Sequence, residues 1–254
     1  MDALKERDIE SGQEADARAA LIMMARSLRK KIEDEKNRPR RLSSFCMIGR
    51  SQAAAPAPRQ GSDRQPLAET SALSLEAVRT ELGDCQRCHL GQLRKNLVFG
   101  EGNPRARIVF VGEAPGGDED IQGRPFVGRA GQLLTKIIAA MKLSRRDVYI
   151  CNILKCRPPG NRNPRPEEVA ACEPFLMKQL AAIKPAVICA LGTIAARNLL
   201  KTEVPITALR GRFHSYQGIP VMPTYHPAYL LRNPEAKKQV WEDIRMIMKT
   251  MNLI

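Results

Sequence analysis

Between residues 107 and 225 the chain alternates two kinds of pattern. Four short runs are almost wholly apolar: RIVFVG (107–112), DVYICNI (147–153), AVICALG (186–192) and IPVMPTY (219–225). None has the every-other-residue rhythm of a half-buried strand, so each predicts a strand covered on both faces. The intervening stretches space their apolar residues at helical intervals and predict helices over 131–141, 166–183 and 193–200, the second with Pro166 in its first turn. Further helices are expected over 74–82, with Ser74 as N-cap, and from 233 or 234 to about 251. Strand and helix in alternation predict an α/β protein, a three-layer α/β/α sandwich around a central, mainly parallel four-stranded sheet. Ligands of such sheets bind at the carboxyl ends of the strands.

The first third of the sequence has a different texture. Residues 13–36 pattern as a helix with an apolar cluster at Leu21 to Met24, and residues 37–71, rich in Pro, Ala, Ser, Gln and Arg, read as a flexible linker. The chain therefore divides into an N-terminal extension over 1–70, part helical and then linker, and a folded domain over 71–254. No apolar run is long enough to span a membrane, and the mixed-sign N-terminus is neither a secretory signal nor a transit peptide. A cytoplasmic protein is the expectation. Net charge is +14. Residues 1–70 hold 14 basic against 11 acidic side chains, so most of the excess belongs to the folded part. That balance favours a polyanionic partner over a merely solvated basic surface.

Seven cysteines without an export signal do not read as a disulfide framework. Cys151 and Cys189 lie in apolar strands and serve as small core residues; Cys46 sits in the polar tail. Four remain: the Cys85-x-x-Cys88 pair, and Cys156 with Cys172, which bracket the loop KCRPPGNRNPRPEEVAAC (155–172). A loop so polar has little apolar surface to bury, so the thiols at its ends are the natural anchor. Their spacing admits either a structural zinc ion or an iron-sulfur cluster.

The strand ends carry the remaining chemistry. After the first strand, VGEAPGGDEDIQGRPFVGRAG combines turn-forming glycines with Glu113, Glu119 and Asp120; it lacks the spacing of a nucleotide-phosphate loop. Asn152 ends the second strand, where a buried amide either caps a neighbouring loop or reads the edge of a planar ligand. His226 stands between Pro223 and Pro227 in PTYHPAYLLRNP, and spacing alone leaves it structural or catalytic. Tyr229, Leu231 and Arg232 after it suit either a wedge against stacked bases or a place in the core.

Taken together, GEAPGGDED, GRPFVGRAG, NILKCRPPGNRNPRPEEVAAC and PTYHPAYLLRNP, in that order after a Cys-x-x-Cys, resemble the family 4 uracil-DNA glycosylases, the iron-sulfur branch of their superfamily. The resemblance runs from about residue 75 to the C-terminus and leaves the extension out. It implies a monofunctional DNA repair glycosylase that flips deoxyuridine, hydrolyses the N-glycosidic bond and leaves an abasic site. Cys85, Cys88, Cys156 and Cys172 would ligate a 4Fe-4S cluster. Phe126 would stack on the base, Asn152 would read its edge and His226 would hydrogen-bond uracil O2. Gly112 and Ala114 would line the pocket. Ala114 stands where a better-known branch carries a water-orienting aspartate, so the acid work is expected of Glu113 and Glu119 together, with Asn161 helping to hold Glu119. Arg157, Arg162, Arg165, Tyr229, Leu231 and Arg232 would meet DNA, single- or double-stranded, and the enzyme would act as a nucleoid-associated monomer. The alternative is an iron-sulfur nucleic-acid-binding protein of the same fold with altered or lost activity, including covalent capture of uracil-DNA. The short loop after the second strand, without a histidine, and the Glu113-Ala114 pair favour turnover over capture.

Overall fold

A computed structural model describes residues 73–254. The helix expected over 13–36, the linker to residue 71 and Cys46 lie outside the described residues. Ser74 caps the first helix as expected, its Oγ accepting from Ala77 N at 3.1 Å.

All four apolar runs become strands of one sheet. In chain order the strands are β1 (Glu101–Gly102), β2 (Ile108–Gly112), β3 (Tyr149–Asn152), β4 (Val187–Leu191), β5 (His214–Tyr216) and β6 (Ile219–Thr224). Their spatial order is β1-β3-β2-β4-β6-β5. The inner four, β3, β2, β4 and β6, are mutually parallel. β1 and β5 extend the sheet to six by pairing antiparallel with its edges. These two strands, two and three residues long, carry no apolar run and so leave no periodic signal.

Alternate residues of the inner strands serve two separate cores. On one face Ile108, Phe110, Ile150, Cys189 and Met222 pack with Leu134 and Ile138 of the helix Arg129–Ala140 and with Val240, Ile244 and Ile247 of the helix Lys237–Thr250. On the other, Val109, Val111, Cys151, Ile188 and Val221 meet Leu176 and Leu180 of the helix Pro166–Ile183 and Ala195 and Leu199 of Thr193–Leu200. Burial on both faces removes any reason for alternation along the strand, which is why the runs read as continuous. The result is the expected three-layer sandwich.

Helices numbered in chain order are α1 (Leu75–Leu82), α2 (Leu90–Leu93), α3 (Gly117–Gln122), α4 (Arg129–Ala140), α5 (Pro166–Ile183), α6 (Thr193–Leu200), α7 (Ile206–Leu209), α8 (Pro227–Arg232) and α9 (Lys237–Thr250). Both α3 and α8 fall in stretches whose residues suggest loops, and each is a single short turn-and-a-half hung on a strand end. β2 leads into the segment carrying α3, β3 into the polar loop before α5, and β6 into α8. Because β2 connects outward to β3 and the chain then returns to β4 on the other side, the three loops converge where strand order reverses. Among the described residues no helix is long and apolar enough to cross a membrane.

Candidate active site

A cavity of about 770 Å³ opens at this reversal point. Its floor is set by Asn152 and Phe126, with Gly112 packed against both. Gly112 and Asn152 are register partners at the ends of β2 and β3. A side chain on Gly112 would put its Cβ 2.4 Å from Asn152 Oδ1 and 2.5 Å from the Phe126 ring, so only glycine lets the amide and the ring share this floor. Asn152 is 1 % exposed. Its Oδ1 is buried without a hydrogen-bond partner. An unpaired buried acceptor costs about 1–3 kcal/mol. Asn152 lines the cavity, so its unpaired amide oxygen is suited to a ligand donor.

Phe126 sits at φ 52°, the left-handed region unusual for a side chain of this size. Arg145 holds it there from behind. Its Nη1 donates to Phe126 O at 3.0 Å and its Nη2 to Pro125 O at 2.7 Å. Glu101 on β1 in turn receives Arg145 Nε at 2.8 Å and Arg124 Nε at 2.8 Å. Gly131 lets α4 press against the same segment, since a Cβ there would lie 1.8 Å from Phe126 O. Arg145, Glu101 and Gly131 are absent from the residues sequence reasoning selects; Arg145 and Gly131 act on backbone and Glu101 on distant arginines, contacts a sequence does not display.

His226 faces the same cavity, its ring 5.6 Å from that of Phe126. It caps α8 with its ring: Nδ1 accepts from Ala228 N at 3.1 Å. That bond assigns the remaining ring proton to Nε2. Burial pushes the imidazole down to about 4, against a pull upward from Glu119, so the ring is neutral at neutral pH. β6 is steadied beneath it where Thr224 Oγ1 donates to the buried Asp243 at 2.6 Å, a carboxylate also gripped by Arg210.

The two expected carboxylates differ in what they touch. Glu119 is occupied by backbone: Oε1 accepts from Val127 N at 2.9 Å and Gly128 N at 3.0 Å, and Oε2 from Gly116 N at 3.1 Å. It ties the start of α3 to the segment bearing Phe126. Glu113 also lines the cavity, and burial holds its carboxyl above the ordinary range. The expected pairing of Asn161 with Glu119 is replaced by another, with Arg157 Nε donating to Asn161 Oδ1 at 2.7 Å. Three backbone amides already hold Glu119, and the Asn161 amide oxygen is taken by Arg157.

Of the residues expected to meet DNA, Arg162 and Arg232 line the cavity, and Arg197, unmarked by sequence reasoning, joins them. Arg157 and Arg165 stand outside it, Arg165 4.0 Å from Glu167. Tyr229 and Leu231 are exposed on α8 at 40 % and 39 %, whereas Leu230 between them enters the core. The pattern expected either of a wedge or of core residues is thus divided along one short helix.

Cys85, Cys88, Cys156 and Cys172 line one small cavity beside the polar loop, all as free thiols. Nitrogen donors reach three of the sulfurs: Arg87 Nη1 to Cys85 at 3.3 Å, Arg94 Nη1 to Cys156 at 3.4 Å and Lys155 N to Cys172 at 3.3 Å. Burial raises the Cys156 thiol to about 11. Among the described residues no three potential ligands converge closely enough for a single metal ion. Ala114 packs against this cysteine cluster, joining it to the first loop of the active cavity.

Residues 99–245 match the uracil DNA glycosylase superfamily. The chain is 51 % identical over 174 residues to the type-4 uracil-DNA glycosylase of Thermotoga maritima, covering 67 % of this chain and 91 % of that one. It is 44 % identical over 188 residues to the type-4 uracil-DNA glycosylase of Saccharolobus solfataricus (70 % and 87 %). Against that of Archaeoglobus fulgidus it is 45 % identical over 182 residues (68 % and 92 %).

Proposed function

The chain belongs to the type-4 uracil-DNA glycosylases, and on that premise we propose that the cavity at the ends of β2, β3 and β6 is its uracil pocket. The protein excises uracil from DNA in base excision repair. The observation that carries the site assignment is the orphaned Asn152 Oδ1 beside the neutral, Nε2-protonated His226. Uracil offers one donor, N3–H, between two carbonyl oxygens. Asn152 Oδ1 accepts from N3–H and its amide donates to O4, while cytosine would set acceptor against acceptor and donor against donor. Phe126 stacks on the base once it leaves the helix, which offsets part of the unstacking cost.

Bond cleavage sends the glycosidic electron pair to uracil, and the negative charge gathers on O2. His226 Nε2–H donates to that oxygen as a neutral group, so the anion is stabilised without a prior proton transfer. Water adds at the sugar carbon that loses the base, and its proton passes to a carboxylate. We assign that role to Glu113, because Glu119 spends its oxygens on three backbone N–H groups and serves the site by holding Phe126's loop. Arg162 and Arg197, each paired with a glutamate, and Arg232 line the cavity where DNA phosphates would approach.

The four thiols fit a 4Fe-4S cluster, held by Cys85, Cys88, Cys156 and Cys172. Donors directed at three of the sulfurs suit ligands that would carry negative charge when holding such a cluster. When bound, such a cluster supplies structural support to the 155–172 loop and no step of the hydrolysis. Residues 1–70 form a separate N-terminal extension in this reading, and the glycosylase domain acts as a monomer.

A labelled oligonucleotide with one deoxyuridine tests the function directly. Incubation followed by alkali cleaves the strand at that position if an abasic site has formed, and no cleavage occurs without alkali. Strand scission before alkali, or a protein-DNA adduct surviving denaturing electrophoresis, would overturn the hydrolytic, multiple-turnover reading.

A further inference from the structure

Lys155 is among the largest fully buried side chains, 1 % exposed, and among the described residues no carboxylate stands within ion-pair distance of it. Lysine is rarely placed so deep without a countercharge. A methionine or leucine would fill the same space without a cationic end to desolvate. What lysine adds is a donor, and both of its bonds are short: Nζ to Asn152 O at 2.7 Å and to Gln179 Oε1 at 2.6 Å.

Those two bonds join the end of β3 to α5. Asn152 is the last residue of β3 and carries the unpaired amide oxygen in the uracil cavity. Gln179 lies on α5, seven residues after Cys172 and so on the same helical face. Gln179 is itself fixed, its Nε2 donating to Phe99 O at 2.9 Å and Tyr149 OH at 3.3 Å. Lys155's own backbone N–H donates to Cys172 Sγ at 3.3 Å, and Cys156 follows it in the chain. One residue thus touches the cysteine quartet with its main chain and the base-reading asparagine with its side chain.

We propose that Lys155 is a positioning residue for uracil recognition, a strut that ties the Asn152 carbonyl to the cysteine quartet and α5. The inference rests on the assignment of Asn152 as base reader. Fixing the carbonyl at the end of a strand fixes the direction in which that residue's side chain leaves the backbone. The Asn152 amide oxygen has no hydrogen-bond partner among the described residues to fix it otherwise. Displacement of a positioned group by about 1 Å costs on the order of 10²-fold in rate.

The test uses the full-length holoprotein and four forms: wild type, Lys155→Met, Asn152→Ala and the double variant. Single-turnover uracil release, iron content with visible absorption, and affinity for DNA lacking uracil are measured for each. Lys155→Met is expected to keep its iron and its affinity for undamaged DNA while losing about 10- to 100-fold in single-turnover rate. The double variant should be no slower than Asn152→Ala, since a strut has nothing to position once the amide is gone. A wild-type rate in Lys155→Met, or a double variant whose losses multiply in full, overturns the proposal. If Asn152→Ala itself cleaves at the wild-type rate, the base-reader assignment has failed and the strut with it, a result distinct from failure of the strut alone. Should Lys155→Met lose its iron or fail to fold, Gln179→Leu decides: a reduced rate that vanishes on the Asn152→Ala background supports the strut, and an unchanged rate refutes it.

Discussion

The backbone N–H of Ala228 donates to Nδ1 of His226 at 3.1 Å, and this bond leaves Nε2 as the ring nitrogen open to the cavity's ligand. A neutral ring with its proton on Nε2 is a hydrogen-bond donor without being a cation. Removing it by His226→Ala is expected to lower single-turnover cleavage about 10²- to 10³-fold. Affinity for DNA without uracil should stay near wild type, and a proportionate loss of that affinity would instead make His226 a general DNA contact.

The same histidine leaves a mark on stability. Its pKa is depressed in the folded protein to about 4, below the ordinary imidazole value of 6.5. The contribution is therefore fully present above 6.5 and is lost as pH falls from there toward 4. Thermal melts of wild type and His226→Ala over this window should converge at the acid end. Parallel curves would mean the ring is protonated in the native state.

Activity on the acid side is expected to follow Glu113. Burial raises its pKa, so the ionised form needed at the water disappears at a higher pH than for an exposed carboxylate. The acid limb of kcat/KM should therefore lie above the usual glutamate range. Glu113→Gln should lower the rate and abolish that limb. Glu119→Gln, which removes an acceptor from the backbone cap, should lower the melting temperature as well as the rate.

Gly112→Ala is the smallest change that should empty the pocket of function. Its new methyl falls within contact-forbidden range of both Asn152 Oδ1 and Phe126. Because the conflict is confined to the cavity floor, circular dichroism should remain native while uracil release falls by about 10²-fold. A variant with wild-type kinetics would show that the ring and amide have room to retreat.

Arg145 lies behind the pocket and holds the strained Phe126 by its carbonyl. Arg145→Met leaves the aromatic ring present but unclamped. Residues in sparsely populated backbone regions persist only where their surroundings over-determine them, at a cost of about 1–3 kcal/mol. The variant should therefore show a raised KM and a reduced kcat together, roughly tenfold in kcat/KM. An unchanged kcat/KM would show that Gly131 and Glu119 suffice to hold the loop.

How much of this a sequence displays depends on what each residue touches. The four inner strands are legible because burial on both faces makes them continuous apolar runs, and Ser74 and Pro166 sit where capping chemistry puts them. The edge strands β1 and β5 are too short and too polar to signal. Glu113, Asn152 and His226 stand out as polar groups at strand ends. Glu119 is equally visible, but its bonds to Val127 N and Gly128 N are not, because every residue carries the same amide. Lys155 reads as the first residue of a basic loop, and nothing in its neighbours discloses that it turns inward. Leu230 and Leu231 are indistinguishable until the short helix α8 assigns one to the core and the other to solvent.

In the proposed pocket Gly112 comes from β2, Asn152 from β3 and His226 from the turn after β6, so no single segment of chain would hold a working pocket. A molecule whose sheet has loosened loses selectivity and catalysis in the same event. For a protein that moves among vast numbers of intact cytosines and thymines, that arrangement acts as a safeguard: heat or damage makes it idle before it can become indiscriminate.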